Sequence, residues 1–81
     1  MKSPRESFDN KILKEEVGKR MRERRLQLGL TQEEVAAHIG VAQPVYQRFE
    51  KGTYECTFDQ LRQLCRLFDV SADYLLGLSD Y

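Results

Sequence analysis

The sequence predicts an all-α domain of five helices, and three observations predict it. Apolar residues recur at helical spacings, no stretch alternates apolar and polar residues as a half-buried strand would, and helix-start signals followed by glycine stops divide the chain. At 81 residues the chain supports one small, compact core.

Residues 1–10 are polar, contain Ser3-Pro4 and show no periodicity, so a flexible N-terminal tail is expected there, with Ser7 or Asp9 capping the first helix and the domain covering 11–81. Leu13, Val17, Met21 and Leu28 fall on one helical face, and Gly29 stands where a left-handed helix stop is wanted. Thr31-Gln32-Glu33-Glu34 is a capping box, in which threonine hydroxyl and glutamate carboxylate each satisfy a free backbone N–H; Val35, Ala36 and Ile39 follow, and Gly40 ends this second helix. After Val41-Ala42, Pro44 fits only a first helical turn, where no N–H is needed. Helix three therefore runs from about Gln43 to Lys51, with Tyr46 and Phe49 one turn apart and Gly52 beyond. Thr57 and Gln60 form a second capping box before the stripe Leu61, Leu64, Cys65 and Phe68. Ser71 caps a short last helix, with Val70 and Leu75 placed as a hydrophobic staple and Gly77 closing it.

Hydrophobic residues are 41% and charged residues 32% of the chain, a soluble globular balance, and no apolar run approaches the roughly 20 residues of a membrane span. No secretory leader opens it. Cys56 and Cys65 are not a CxxC pair and have only His38 to join them, so a reduced cytoplasmic protein with no metal and no cofactor is expected. Zero net charge argues against nucleic acid only if the chain is treated as one lump. Residues 1–30 hold nine Lys/Arg against five Asp/Glu, residues 31–52 two against three, and residues 53–81 two against five. Such polarity lets one end face phosphates and leaves the other for a partner. The basic run Lys19, Arg20, Arg22, Arg24 and Arg25 also reads as a solvated helix surface.

From Gln32 to Gly52 two short helices meet at a tight turn, with small Ala36 at the crossing, Gly40 in the turn, and Val35, Ile39, Val41, Tyr46 and Phe49 apolar. In RRLQLGLTQEEVAAHIGVAQPVYQRFEKG and LRQLCRLFDVSADYLLG the chain resembles the phage-repressor and Cro-type (XRE-type, lambda-repressor-like) helix-turn-helix family, over about Val17 to Gly77. The resemblance implies a five-helix domain that binds operator DNA as a dimer, with helices two and three as the helix-turn-helix. It also implies that Gln32 contacts a phosphate and steadies Gln43, and that Arg25 and Glu50 form a salt bridge tying helix one to the end of the recognition helix. Arg24 stands where the family often has an apolar residue, with Leu26 and Leu28 available for the packing.

With Tyr46 and Phe49 turned inward, Gln43, Pro44, Val45, Gln47 and Arg48 form the leading and outward surface of helix three. Glutamine pairs bidentately with adenine, arginine with guanine, and valine touches a thymine methyl. Gln32 begins helix two, where backbone N–H groups favour a phosphate, and Lys51 and Thr53 are further backbone contacts that fix register. His38 reads as a solvated surface residue, Cys65 as a buried hydrophobe, and Cys56 as a loop residue with a redox role as the minor alternative. Lys2 and Arg5 allow an arm reaching DNA; a plain tail is the other reading.

Tyr54, Phe58, Tyr74, Leu78 and Tyr81 exceed what a small core absorbs and suggest a homodimer interface; the alternative is that some of them cover the core edge of a monomer. The function expected is a sequence-specific regulator of transcription that binds double-stranded DNA. The alternative is an antitoxin or interaction module whose main partner is another protein at the C-terminal surface. An enzyme is not expected: there is no nucleophile with a base at useful spacing and no glycine-rich phosphate loop.

Overall fold

The computed structural model describes the backbone of residues 4–80 and the side chains of residues 11–80. It contains α1 (Pro4–Gln27), α2 (Gln32–His38), α3 (Gln43–Lys51), α4 (Phe58–Phe68) and α5 (Ala72–Leu76), and no strand among the described residues. The local signals act as their chemistry requires. Thr31 accepts from the Glu34 amide while the Glu34 carboxylate accepts from the Thr31 amide, and Thr57 and Gln60 repeat the exchange. Ser71 accepts from the Tyr74 amide at the start of α5.

α1 begins at Pro4, so residues 4–10, expected as a flexible tail, lie in helix. Proline costs nothing at a first turn, and a helix already anchored downstream can extend without an apolar stripe of its own. Lys2 and the side chain of Arg5 lie outside what is described.

The core is Met21, Val35, Ala36, Ile39, Tyr46, Phe49, Leu64, Phe68 and Leu75. All five helices contribute to it, so α2 and α3 are held by the same apolar volume as the helices that flank them. Cys65 and Cys56 are half-buried against this core, and His38 is exposed. Burial pushes both thiols above their ordinary pKa, away from thiolate reactivity.

Helix one turns Met21 into the core with Val17 packed against it and Leu13 half-buried beside them, as their spacing suggests, but its last turn departs from that face. Leu28 lies beyond the end of α1 and is 41% exposed, and Leu26 is 52% exposed. The place is filled instead by half-buried Arg24, whose Nε donates to the Phe68 carbonyl at the end of α4 (2.7 Å). An arginine covers apolar surface with its stem while its head satisfies a helix-end carbonyl that has no partner within the helix. Arg20 is half-buried and its guanidinium packs over Gly77, the residue that closes α5.

α1 crosses the end of α3 at backbone contact distance. A Cβ on Gly52, whose φ is +79°, would stand 2.7 Å from the Glu15 Cα, so this stop residue must be both left-handed and without a side chain. The crossing sets the angle at which α3 leaves the body.

Candidate nucleic-acid interface

α2 and α3 are joined by residues 39–42, where Gly40 and Val41 donate to the Ala37 and Ala36 carbonyls (3.2 and 3.0 Å). Ala36 is buried at the crossing. α3 then divides into two faces. Tyr46, Phe49 and Glu50 are buried, the two rings meeting edge to face at 6.2 Å between centroids. Pro44, Arg48 and Lys51 are exposed, and Gln43 and Gln47 are half-exposed beside them. Val45, expected on the outward surface, packs against the core at the shoulder between these faces, because one turn later the same side of the helix carries buried Phe49.

A chain of polar contacts runs from the core to the start of α3. Arg25 grips Glu50 with two bonds, Nε to Oε2 at 2.7 Å and Nη2 to Oε1 at 3.1 Å, and its Nη1 donates to the Leu30 carbonyl at 3.0 Å. Gln32 donates from Nε2 to Glu50 Oε1 (3.0 Å), and Gln43 donates from Nε2 to Gln32 Oε1 (2.8 Å). The first residues of α2 and α3 are thereby tied to each other and to an ion pair of which each partner is only 8% exposed.

Burial alone would raise the Glu50 pKa, but the hydrogen bonds from Arg25 and Gln32 and the Arg25 charge outweigh it and hold the carboxyl below its ordinary value. The enclosed Tyr46 hydroxyl lies near this carboxylate but outside good hydrogen-bond geometry, so we read the proximity as electrostatic. Burial first, then Glu50, push its pKa far above the ordinary tyrosine value, and it stays protonated.

At the other end of α3, the Thr53 amide and hydroxyl donate to the Arg48 carbonyl (3.0 and 3.3 Å), turning the chain back after Gly52. This places the Tyr54 ring beneath the Arg48 guanidinium, 5.1 Å from Cζ to centroid. No spacing rule relates these two residues, and nothing in the sequence signals the contact. Tyr54 and Phe58 also border an open apolar groove of about 240 Å³ with Leu13, Val17, Met21 and Leu61. Phe58 is 92% exposed at the first turn of α4 and Leu78 is 76% exposed, but Leu78 is not on this groove; Tyr74 packs against the core, and Tyr81 lies outside the described residues. Of the five residues expected at a dimer interface, Tyr54 and Phe58 thus share this groove, while Tyr74 and Leu78 are not among the residues that line it.

Of the basic run on α1, Arg20, Arg24 and Arg25 are engaged with other helices, while Lys19 and Arg22 are exposed.

Residues 21–75 match the helix-turn-helix family model HTH_3. The chain belongs to the Cro/C1-type helix-turn-helix family. Other members of this family are similar to it: it is 43% identical over 61 residues to YobD, an uncharacterised HTH-type transcriptional regulator of Bacillus subtilis, covering 75% of this chain and 54% of that one. It is 36% identical over 61 residues to the HTH-type transcriptional regulator ImmR of the same organism, covering 75% and 48%. The chain thus spans about half the length of the curated relatives it matches. Among solved structures, the P22 c2 repressor, determined in complex with a synthetic operator, superimposes with a TM-score of 0.73 at 28% identity, covering 78% of this chain and 96% of that one. This helix-turn-helix domain is all-helical like that repressor, and no described helix is long and apolar enough to cross a membrane.

Proposed function

We propose that this chain is a cytoplasmic, sequence-specific regulator of transcription, of repressor type, that lays α3 in the major groove of double-stranded DNA. The observation that carries the reading is the Gln43–Gln32–Glu50 chain of hydrogen bonds, which holds two glutamines at the leading ends of α2 and α3 on a rigid support. Preorganised donors and acceptors are what base readout requires, since a glutamine that must first be ordered loses much of its discrimination to entropy. Gln43, with Pro44, Gln47 and Arg48 around it, supplies the base-reading edge, at about 1–3 kcal/mol of discrimination for each good bidentate pair. Gln32 has a second Nε2 hydrogen left for a phosphate, and Lys51 and Thr53 flank the same backbone. Val45, at the shoulder, is left to packing and to a thymine methyl at most.

One such module covers few base pairs, so the working unit is a symmetric dimer on half-sites about 34–36 Å apart. A second reading, an interaction module whose main partner is another protein, is favoured by the bare Phe58 beside its groove.

Selection from random duplex DNA, repeated over several salt concentrations and with Gln43→Ala and Arg48→Ala, tests the proposal. A two-fold motif that both variants degrade, with steep salt dependence, supports it; parent and variants recovering no motif alike would move the function to a protein partner.

A further inference from the structure

We propose that the groove between α1 and the start of α4 is the face through which two copies of this chain pair, and that its occupant is the partner's Phe58, each copy placing its ring in the other's groove. The inference rests on the dimeric reading above and concerns which surface makes the pair.

Phe58 is the first residue of α4, and the capping exchange between Thr57 and Gln60 fixes the turn on which it stands. A phenyl ring 92% exposed on so rigid a support gains by leaving water. Its own chain does not bury it, although an apolar groove of about 240 Å³ lies alongside, walled by Leu13 and Val17 of α1 and Leu61 of α4. Projecting ring and recess therefore sit side by side on one surface. In an isologous contact a surface meets itself turned round, so a two-fold axis between the two sets each ring over the other copy's recess. An unrelated partner calls for a recess or for a ring; possession of both suits a surface that pairs with itself.

The charges at the rim agree. Lys14 and Glu55 are the charged residues lining the groove, one of each sign, and neither side chain has an ion pair or hydrogen bond among the described residues. A partner carrying a single dominant charge would be repelled by one of them. A two-fold axis lets Lys14 face the partner's Glu55 and repeats the same pair on the other side. Opposite charges so placed fix register and exclude wrong partners more than they add affinity.

Tyr54 gives the pairing a consequence for α3. Its ring lines the groove and also lies beneath the Arg48 guanidinium, so a ring entering the groove packs against the support of a residue on the outward face of α3. A contact built on one ring and one rim pair from each copy is at the small end of protein interfaces, and it associates and separates with concentration.

Sedimentation equilibrium of the DNA-free chain from about 1 μM to about 1 mM tests the assignment, with melting temperatures recorded to show that each variant is folded. The parent is expected to pass from monomer to dimer across this range. Phe58→Ser is expected to raise the dissociation constant at least about thirtyfold, the loss of a central anchoring residue. Lys14→Glu and Glu55→Lys, each alone, set like charges together twice in every pair and are expected to weaken association about tenfold at low salt. Mixed in equal amounts, these two variants are expected to recover the parent's association, because in the mixed pair both rim contacts are again of opposite sign. A contact between Lys14 and Glu55 of the same chain would not be rescued by mixing. If the parent dimerises and all three variants dimerise equally well, the pair forms through another face: the assignment is wrong and the dimeric reading stands. If the parent stays monomeric at about 1 mM, the assignment is overturned and the groove is left to a different protein; the dimeric reading falls with it only if selection on duplex DNA also returns no two-fold motif.

Discussion

Gly18 of α1 lies so close beneath the end of α3 that a Cβ there would stand 2.3 Å from the Glu50 carbonyl oxygen, with the Phe49 carbonyl oxygen at 2.5 Å. Both are backbone atoms and cannot rotate away. In an exposed helix Gly→Ala adds up to about 1 kcal/mol of stability. Here the sign is expected to reverse, because α1 and α3 must separate to admit the methyl. Gly18→Ala is expected to cost about 1–3 kcal/mol, as overpacking does. Denaturant melts with an unchanged slope and a lower midpoint would bear this out; a stabilised variant would show that the crossing yields.

The guanidinium of Arg48 rests on the Tyr54 ring, and an exposed contact of this kind is worth about 0.5–1 kcal/mol. Tyr54→Leu is expected to weaken specific DNA binding about two- to fivefold while leaving the melting temperature nearly unchanged, and Tyr54→Phe, which keeps the ring, to bind like the parent. In a double-mutant cycle with Arg48→Ala the two losses should not add. Full additivity would mean that the ring does not position the arginine.

Acid should unfold the domain partly through Glu50. Its folded pKa is depressed, so it contributes stability that is complete above the unfolded value, about 4.3, and is lost as pH falls through the lower folded value. Melting temperatures of the parent and Glu50→Gln are expected to converge on acidification below about pH 4–5. Arg25→Met, which leaves the carboxylate buried without its cation, is expected to cost about 3–5 kcal/mol at neutral pH. A constant parent-to-variant gap from pH 7 to pH 3 would show that Glu50 does not titrate in this way.

Arg24 and Lys51 should separate architecture from phosphate contact. Arg24→Ala removes the bond to the Phe68 carbonyl and is expected to cost about 1.5–3 kcal/mol of stability without changing the slope of log affinity against log salt. Lys51→Ala is expected to leave stability alone and reduce that slope by about one. The reverse pattern would assign Arg24 to the DNA face.

What the sequence made legible was local. Thr31, Thr57 and Ser71 announce helix starts because their hydroxyls satisfy amides only three residues away, and Gly52 announces a stop because the left-handed turn excludes most side chains. The start of α1 at Pro4 was hidden because that turn carries no apolar stripe, and Leu28 misled because its spacing continues past the helix end. Arg24 misled in a different way, since its residue type does not reveal whether stem or charge is being used. At the candidate interface, the inward and outward faces of α3 followed from Tyr46 and Phe49, but Val45 sits where the two faces meet and periodicity does not decide it. The stacking of Tyr54 under Arg48 depends on the path of the chain after Gly52, which is tertiary information.

The inward use of Arg20, Arg24 and Arg25 bears on how such a regulator would find its target. Cations committed to joining helices do not adhere to random duplex, and the other ten Lys and Arg are offset by thirteen Asp and Glu in a chain of zero formal charge. On the proposed function, dwell times on ordinary genomic sequence would be short, little protein would be titrated away by the many competing sites, and a small number of copies would suffice to keep an operator occupied.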